Sequence, residues 1–157
     1  MKFNKAIKNL FIVLFSTLLI SACSTAKKAN VDTANDVYIG TDTVEFLAKG
    51  VPDRIFFATN KSKLTTASRD TLRKQATWMR KNKDVTVTVE GHADERGTRE
   101  YNLALGERRA NAAKDYLMTY GVSGKRISVI SYGKERPVNP ASSPLAWSQN
   151  RRSVTVK

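Results

Sequence analysis

The chain has 157 residues, 27 lysines and arginines against 14 aspartates and glutamates, and a formal net charge of +13. This length supports one compact domain with a single core. A charge of this size attracts polyanions such as nucleic acid, anionic lipid or acidic cell-wall polymer. With only one cysteine, the chain cannot form an internal disulfide, so packing must hold the domain together.

A secretory signal is predicted at the N-terminus. Three lysines within the first eight residues precede an apolar run at residues 10–20, and Ser21 and Ala22 supply the small side chains that a signal peptidase needs. The apolar run is too short to cross about 30 Å of hydrocarbon, so it is not a membrane span. We expect residues 1–22 to be removed as a signal peptide.

The position of Cys23 makes this signal more specific. The stretch LISAC at residues 19–23 resembles the bacterial lipobox, whose cysteine is acylated and becomes the new N-terminus. We expect Cys23 to carry an S-diacylglycerol and an N-palmitoyl group, which anchor the protein in a membrane. Ser24 stands where an aspartate would retain many lipoproteins at the inner membrane, which favours the outer membrane. The alternative is an ordinary secreted protein in which Cys23 is a free, unmodified thiol. Because either protein is exported from the cytoplasm, nucleic acid is an unsuitable partner for its positive charge.

A flexible tether is predicted at residues 23–45, where the sequence is small and polar with almost no apolar periodicity. Such a coil spans about 25 Å on average and about 70 Å when fully extended. The tether would let a folded domain at residues 46–157 move well beyond the lipid headgroups.

The remaining sequence predicts a small α+β domain. Residues 85–92 alternate strictly between apolar and polar side chains, which is typical of a strand with one buried face. Apolar residues at steps of three and four, among them Leu103 and Leu117, predict a long helix. The predicted elements are strands at 54–58, 85–92, 127–131 and 153–157, helices at 65–81 and 100–120, and a helical turn at 145–149. The order β-α-β-α-β-β favours a two-layer domain, a mixed sheet with helices on one face.

One acidic and one basic residue stand out as a candidate binding pair. Asp94 follows the end of the 85–92 strand, and Arg109 lies fifteen residues later on the second helix. A loop around Gly97 turns the chain back, so both side chains can face one pocket. A carboxylate binds an ammonium group and a guanidinium binds a carboxylate, so such a pair suits a small zwitterion. From the residues alone, Asp94 and Arg109 could equally pair with each other or with solvent.

Four motifs carry a family resemblance that covers about residues 54–157. The stretches VEGHADERGTREYN and LGERRANAAKDYL, followed by SYGKERP and NRRSVTV, resemble the lipoproteins of the OmpA C-terminal-like family of cell-wall-binding domains. The resemblance implies an OmpA-like fold that binds the meso-diaminopimelate of peptidoglycan stem peptides non-covalently through Asp94 and Arg109. It also implies further pocket residues, namely Asn102, Leu105, Phe57 and Ala58. The chain departs from the family in lacking acidic residues after the aromatic of the first strand.

The resemblance also implies a cellular role. The protein would be an outer-membrane lipoprotein whose domain faces the periplasm, tethering the membrane to the cell wall, with Tol-system proteins of cell division as partners. Two alternatives are a peptidoglycan-modifying enzyme and a lipoprotein that acts mainly as a protein-interaction module.

Catalysis and metal binding have little support in the sequence. His92 and Glu90 are two possible metal ligands without a third at ligand spacing, and no nucleophile and base accompany the nearby carboxylates. We therefore expect no catalytic residue, metal or cofactor. Arg151 and Arg152 either surround the pocket or pair with surface acids, and Trp147 is expected to cover the core.

Overall fold

The computed structural model of the chain describes residues 31–32 and 34–157. The predicted signal peptide, Cys23 and the first part of the predicted tether lie outside these residues. The strands are β1 (Val31–Asp32), β2 (Val37–Tyr38), β3 (Phe46–Ala48), β4 (Val51–Pro52), β5 (Arg54–Phe56), β6 (Val87–His92), β7 (Ile127–Gly133) and β8 (Arg152–Val156). The helices are α1 (Thr66–Lys81), α2 (Arg99–Thr119) and α3 (Pro144–Asn150), with a 3-10 turn at Gly124–Arg126. None of the helices in the described residues is long and apolar enough to cross a bilayer.

A four-stranded mixed sheet forms the centre of the domain, in the order β5-β8-β6-β7. The C-terminal strand β8 lies antiparallel to both β5 and β6, whereas β6 and β7 run parallel. Two short antiparallel pairs, β1 with β2 and β3 with β4, complete the strands. The predicted α+β fold with a mixed sheet is confirmed.

The core lies between one face of the sheet and the helices α1 and α2. The alternation predicted for β6 is confirmed, because Val87 and Val89 are buried while Thr88 and Glu90 are only partly so. The longest buried face belongs to α2, but it includes polar residues and excludes Leu103, which is 44% exposed although it shares the helical spacing of the apolar residues. The main core side chains are Ile55, Phe57, Leu72, Met79, Val87, Val89, Ala110, Ala113, Leu117 and Ile127.

The second half of the predicted tether differs from the prediction, because it packs on the domain. Val37 and Tyr38 are buried against Phe56, and the rings of Tyr38 and Phe56 meet edge to face at 4.7 Å between centroids. Two apolar residues are too few to produce a periodicity, so the sequence pattern could not reveal this contact. The folded domain therefore begins before residue 46.

Helix α2 approaches β6 unusually closely at a pair of glycines. A Cβ atom at Gly91 would overlap the backbone carbonyl of Gly106, and one at Gly106 would lie 2.9 Å from the Gly91 oxygen. Neither overlap can be relieved by a rotamer change, because both involve backbone atoms. The two glycines thus set the distance between α2 and the sheet, and with it the position of Arg109, less than one turn further along α2.

Gly91→Ala is expected to force α2 away from β6 and to lower the free energy of unfolding by about 3 kcal/mol or more, the scale of severe overpacking. Gly124→Ala is the matched control, because a Cβ there would meet only the flexible side chain of Met118. Urea unfolding of both variants measures the effect. Equal stabilities for the two variants would contradict the proposed contact.

Candidate ligand-binding site

A short, well-fixed loop holds Asp94 at the end of β6. Thr98 caps α2 by accepting a hydrogen bond from the Tyr101 amide, and Gly97 takes a left-handed backbone conformation with φ of 90°. Lys134 Nζ donates to the Gly97 carbonyl at 2.8 Å, and the side-chain amide of Asn102 donates to the Arg96 carbonyl at 2.8 Å. The loop is therefore tied to α2 and to the segment after β7.

The carboxylate of Asp94 accepts four hydrogen bonds. Arg96 donates to Oδ1 from its backbone N–H at 3.1 Å and from Nε at 3.0 Å, and to Oδ2 from Nη2 at 2.7 Å. Arg151 Nη1 lies 3.4 Å from Oδ2. Burial would raise the pKa of Asp94, but the hydrogen bonds from Arg96 outweigh it and hold this pKa below its ordinary value. Asp94 is therefore a stable anion.

Arg109 is a fully buried cation that is held by backbone carbonyls. Its Nε donates to Lys61 O at 2.9 Å, Nη1 to His92 O at 2.8 Å and Nη2 to Ala58 O at 3.1 Å. Its guanidinium carbon lies 5.2 Å from the centre of the Phe57 ring. Burial and the neighbouring charge of Arg151 lower the pKa of Arg109 to about 9, so it remains protonated at neutral pH.

Arg151 lies in the same cluster and combines the two roles that the sequence left open, because it adjoins the site at Asp94 and also pairs with the exposed Asp36. It donates from Nε to Phe57 O at 3.0 Å and from Nη2 to Asp36 O at 2.6 Å, and it is 1% exposed. Arg109 and Arg151 thus bind two successive carbonyl groups of the chain. Arg152 is directed elsewhere, toward Glu90 and Arg54 on another surface.

The structure brings the predicted pair together but not into contact with each other. In the described residues, Asp94 bonds to Arg96 and Arg151 and not to Arg109, so the alternative that Asp94 and Arg109 pair with each other is wrong. The charge of Asp94 nevertheless acts on Arg109, and both side chains adjoin the end of β6.

The other predicted pocket residues lie mostly beneath the site. Phe57 and Leu105 are 0% and 3% exposed, and Asn102 is 2% exposed, so their side chains support the charged groups and do not line an open pocket. Ala58 is half-buried, and it contributes its carbonyl to Arg109. Arg96, Asp36 and Thr59 were not predicted, and only Arg96 stands within a motif that could have revealed it.

The cluster has the chemistry of a zwitterion site. The guanidinium groups of Arg96 and Arg151 bind one buried carboxylate, and that of Arg109 lies within reach of its charge, with Asp36 at the edge. The surplus of positive charge favours a ligand that brings a carboxylate, and Asp94 is the natural partner of an ammonium group. Within residues 31–32 and 34–157, no three His, Cys, Asp or Glu side chains are placed to hold a metal ion.

A mostly apolar cavity of about 670 Å³ lies beside this cluster, between the 32–44 segment and the start of α1. Ala58 and Lys61 contribute to its wall, whereas Asp94 and Arg109 do not. The open cavity is therefore a separate feature, and the charged cluster is closed in this conformation because Asp94 and Arg109 are both buried.

The imidazole of His92 is buried behind the site and makes no hydrogen bond within the part of the chain that the structure describes. It is 2% exposed, neither ring nitrogen has a partner in the described residues, and Nε2 lies 3.6 Å from Glu90 Oε2. Burial, together with the charges of Arg152, Arg136 and Arg54, lowers the pKa of His92 from 6.5 to about 3. The imidazole is therefore neutral at neutral pH, while the same group in the unfolded chain takes up a proton below pH 6.5.

His92→Gln is expected to remove a pH dependence of stability. Between pH 6.5 and about 5, above the range in which carboxylates titrate, only the unfolded wild-type histidine binds a proton, so the wild type should lose about 1.5 kcal/mol. The chain has a single histidine, so the variant should be nearly flat in this window. Urea unfolding at several pH values measures the slopes, and parallel slopes would contradict the buried neutral imidazole.

Comparison with known proteins places the chain in a family. The OmpA family matches residues 56–151. A peptidoglycan-associated lipoprotein from Brucella melitensis is 45% identical over 150 residues, which cover 92% of this chain and 89% of the relative. The lipoprotein of the same name from Rhizobium meliloti is 46% identical over 149 residues, with coverage of 92% and 85%.

Solved structures agree with the fold. The crystal structure of the peptidoglycan-associated lipoprotein from Burkholderia pseudomallei aligns with a TM-score of 0.65 and 33% identity, covering 66% of this chain and 88% of that chain. The C-terminal domain of Helicobacter pylori MotB aligns with a TM-score of 0.61 at 24% identity, covering 66% and 81%, and supports the fold alone. The chain therefore belongs to the OmpA family, and within it to the peptidoglycan-associated lipoproteins.

Proposed function

We propose that this protein is a lipid-anchored tether that binds peptidoglycan non-covalently through the diaminopimelate of its stem peptides. The observation that carries the proposal lies at the end of β6, where the buried carboxylate of Asp94 is paired with Arg151 and the guanidinium group of Arg109 is held on the adjacent His92 carbonyl. The name shared by its relatives, peptidoglycan-associated lipoprotein, supports peptidoglycan as the polymer that is bound.

The chemistry of the ligand matches that of the site. Diaminopimelate ends in one carbon that bears both an ammonium and a carboxylate group, whereas lysine presents an ammonium group alone. Asp94 would receive the ammonium group, and the arginines would receive the carboxylate. The carbonyls at Ala58, Lys61 and His92 occupy three of the five N–H groups of Arg109, which leaves two for a ligand.

Weak single contacts suffice for this role. A few charge-assisted hydrogen bonds give affinities in about the micromolar range for one stem peptide. The wall repeats the same peptide many times, and many anchored copies of the protein would bind it together, so avidity makes the attachment strong.

The anchor and the partners complete the proposal. Cys23, acylated at the lipobox, would hold the N-terminus in the outer membrane, with the domain facing the periplasm. Tol-system proteins would be its partners in the envelope during cell division. The proposed role is binding without catalysis.

Replacing either charged residue of the pair should weaken the binding of a diaminopimelate muropeptide. Asp94→Asn removes the charge with little change in shape, and Arg109→Lys keeps the charge but loses the fork of hydrogen bonds to three backbone carbonyls. Loss of one charge-assisted contact corresponds to about 10- to 100-fold lower affinity. Isothermal titration calorimetry with a diaminopimelate muropeptide, alongside a lysine muropeptide, measures the change.

Asp115→Asn is the matched control, because this exposed residue of α2 loses the same charge away from the site. Thermal unfolding establishes that each variant is folded. Wild-type affinity in both folded site variants, or equal wild-type affinity for the two muropeptides, would overturn the diaminopimelate site.

Cys23→Ala should abolish acylation and release the protein from the outer-membrane fraction. Ser24→Ala, one residue further, should leave the protein there, and Ser24→Asp should shift it to the inner membrane. Membrane fractionation with labelled palmitate measures both properties. Recovery of the Cys23→Ala protein in the outer membrane at wild-type levels would contradict the lipid anchor.

A further inference from the structure

The carboxylate of Asp94 has no acceptor position left for a ligand. An ionised carboxylate offers about four lone-pair positions. Arg96 fills three of them, through its backbone N–H, Nε and Nη2, and Arg151 takes the fourth. An ammonium group can reach Asp94 only after one of these donors leaves.

Arg96 is the donor that can leave. Its side chain is 42% exposed, whereas that of Arg151 is 2% exposed. Arg151 is also bound to the Phe57 carbonyl and, through one nitrogen, to both the carbonyl and the carboxylate of Asp36. Moving Arg151 would break bonds to three groups of the domain, whereas moving the Arg96 side chain uncovers both oxygens of Asp94 and leaves the backbone in place.

Trp147 holds Arg96 in the closed position. The guanidinium carbon of Arg96 lies 4.3 Å from the centre of the indole ring, and the indole N–H donates to Glu95 Oε1 at 2.8 Å. Arg96 Nη2 also reaches Thr59 Oγ1 at 3.3 Å. Trp147 was predicted to cover the core, and it instead covers the binding loop.

We propose that the Arg96 side chain is a built-in competitor that occupies the place of the ligand's ammonium group on Asp94, with Trp147 as the surface that retains it there. This inference rests on the proposed function and adds a residue that determines affinity. The guanidinium is bound to Asp94 as a bidentate cation, which is the interaction that a ligand's ammonium group must replace.

Internal competition has a defined consequence for binding. It lowers the affinity for every ligand that brings an ammonium group to Asp94 by the same factor, whatever the ligand's carboxylate contributes. Each contact with the wall would then be weak and quickly reversible, and strong attachment would depend on many copies binding together.

Arg96→Gln is expected to raise the affinity for a diaminopimelate muropeptide roughly fivefold, the scale of an ion pair whose guanidinium group is partly exposed. A lysine muropeptide, titrated by NMR, should gain by the same factor, because the competition concerns the ammonium group alone. Trp147→Leu should raise both affinities about twofold, since it weakens the closed position only through the lost cation–π contact. Arg99→Gln is the control for the loss of one positive charge, because that side chain is 72% exposed and pairs with Glu135.

The outcomes separate this inference from the proposed function. If neither the wild type nor Arg96→Gln binds either muropeptide, the proposed function is overturned, and this inference with it. Diaminopimelate binding by the wild type with unchanged or weaker binding by folded Arg96→Gln would overturn the competitor alone. Weakening restricted to the diaminopimelate peptide would make Arg96 a ligand of its carboxylate.

A direct readout covers the case in which Arg96→Gln does not fold. In the wild type, the Nε–H resonance of Arg96 should lose its protection from solvent exchange when the diaminopimelate muropeptide saturates the protein. Retained protection at saturation would overturn the inference.

Discussion

The fold depends at one point on the neutralisation of a buried carboxylate. Asp94 is 7% exposed at the end of an interior strand, and an unpaired charge in such a position costs several kcal/mol. Arg96 and Arg151 satisfy it from two sides, and the ion pair and hydrogen bonds of Arg151 extend this network to Asp36. Three segments therefore meet at the Asp94 carboxylate: the N-terminal segment, the binding loop and the chain before β8. A change in the partners of Asp94 would alter the contacts of all three.

Backbone geometry places the second cation of the site. The contact between Gly91 and Gly106 brings α2 against β6, and Arg109 then reaches the carbonyl at the end of β6 as well as those of the chain after β5. Because β8 lies between β5 and β6, the residue before it, Arg151, enters the same region. The mixed topology is thus the reason that charges distant in sequence meet.

The sequence predicted the fold well because its signals are local. Strict alternation in β6 and the helical spacing of apolar residues needed no knowledge of tertiary contacts, and the family motifs identified Asp94 and Arg109 as candidates. The burial of Val37 and Tyr38, the exposure of Leu103 and the partners of Asp94 could not be obtained this way. Each depends on which surface the residue contacts after folding. The sequence shows that Arg96 lies close to Asp94, but it does not show whether the guanidinium group binds that carboxylate or faces solvent.

The most direct test of this account is the structure of the protein in complex with a diaminopimelate muropeptide. The account predicts the ligand's ammonium group within hydrogen-bond distance of Asp94, its carboxylate toward Arg109 and Arg151, and the Arg96 side chain displaced. A muropeptide bound in the apolar cavity beside α1, with Asp94 still held by Arg96, would contradict it.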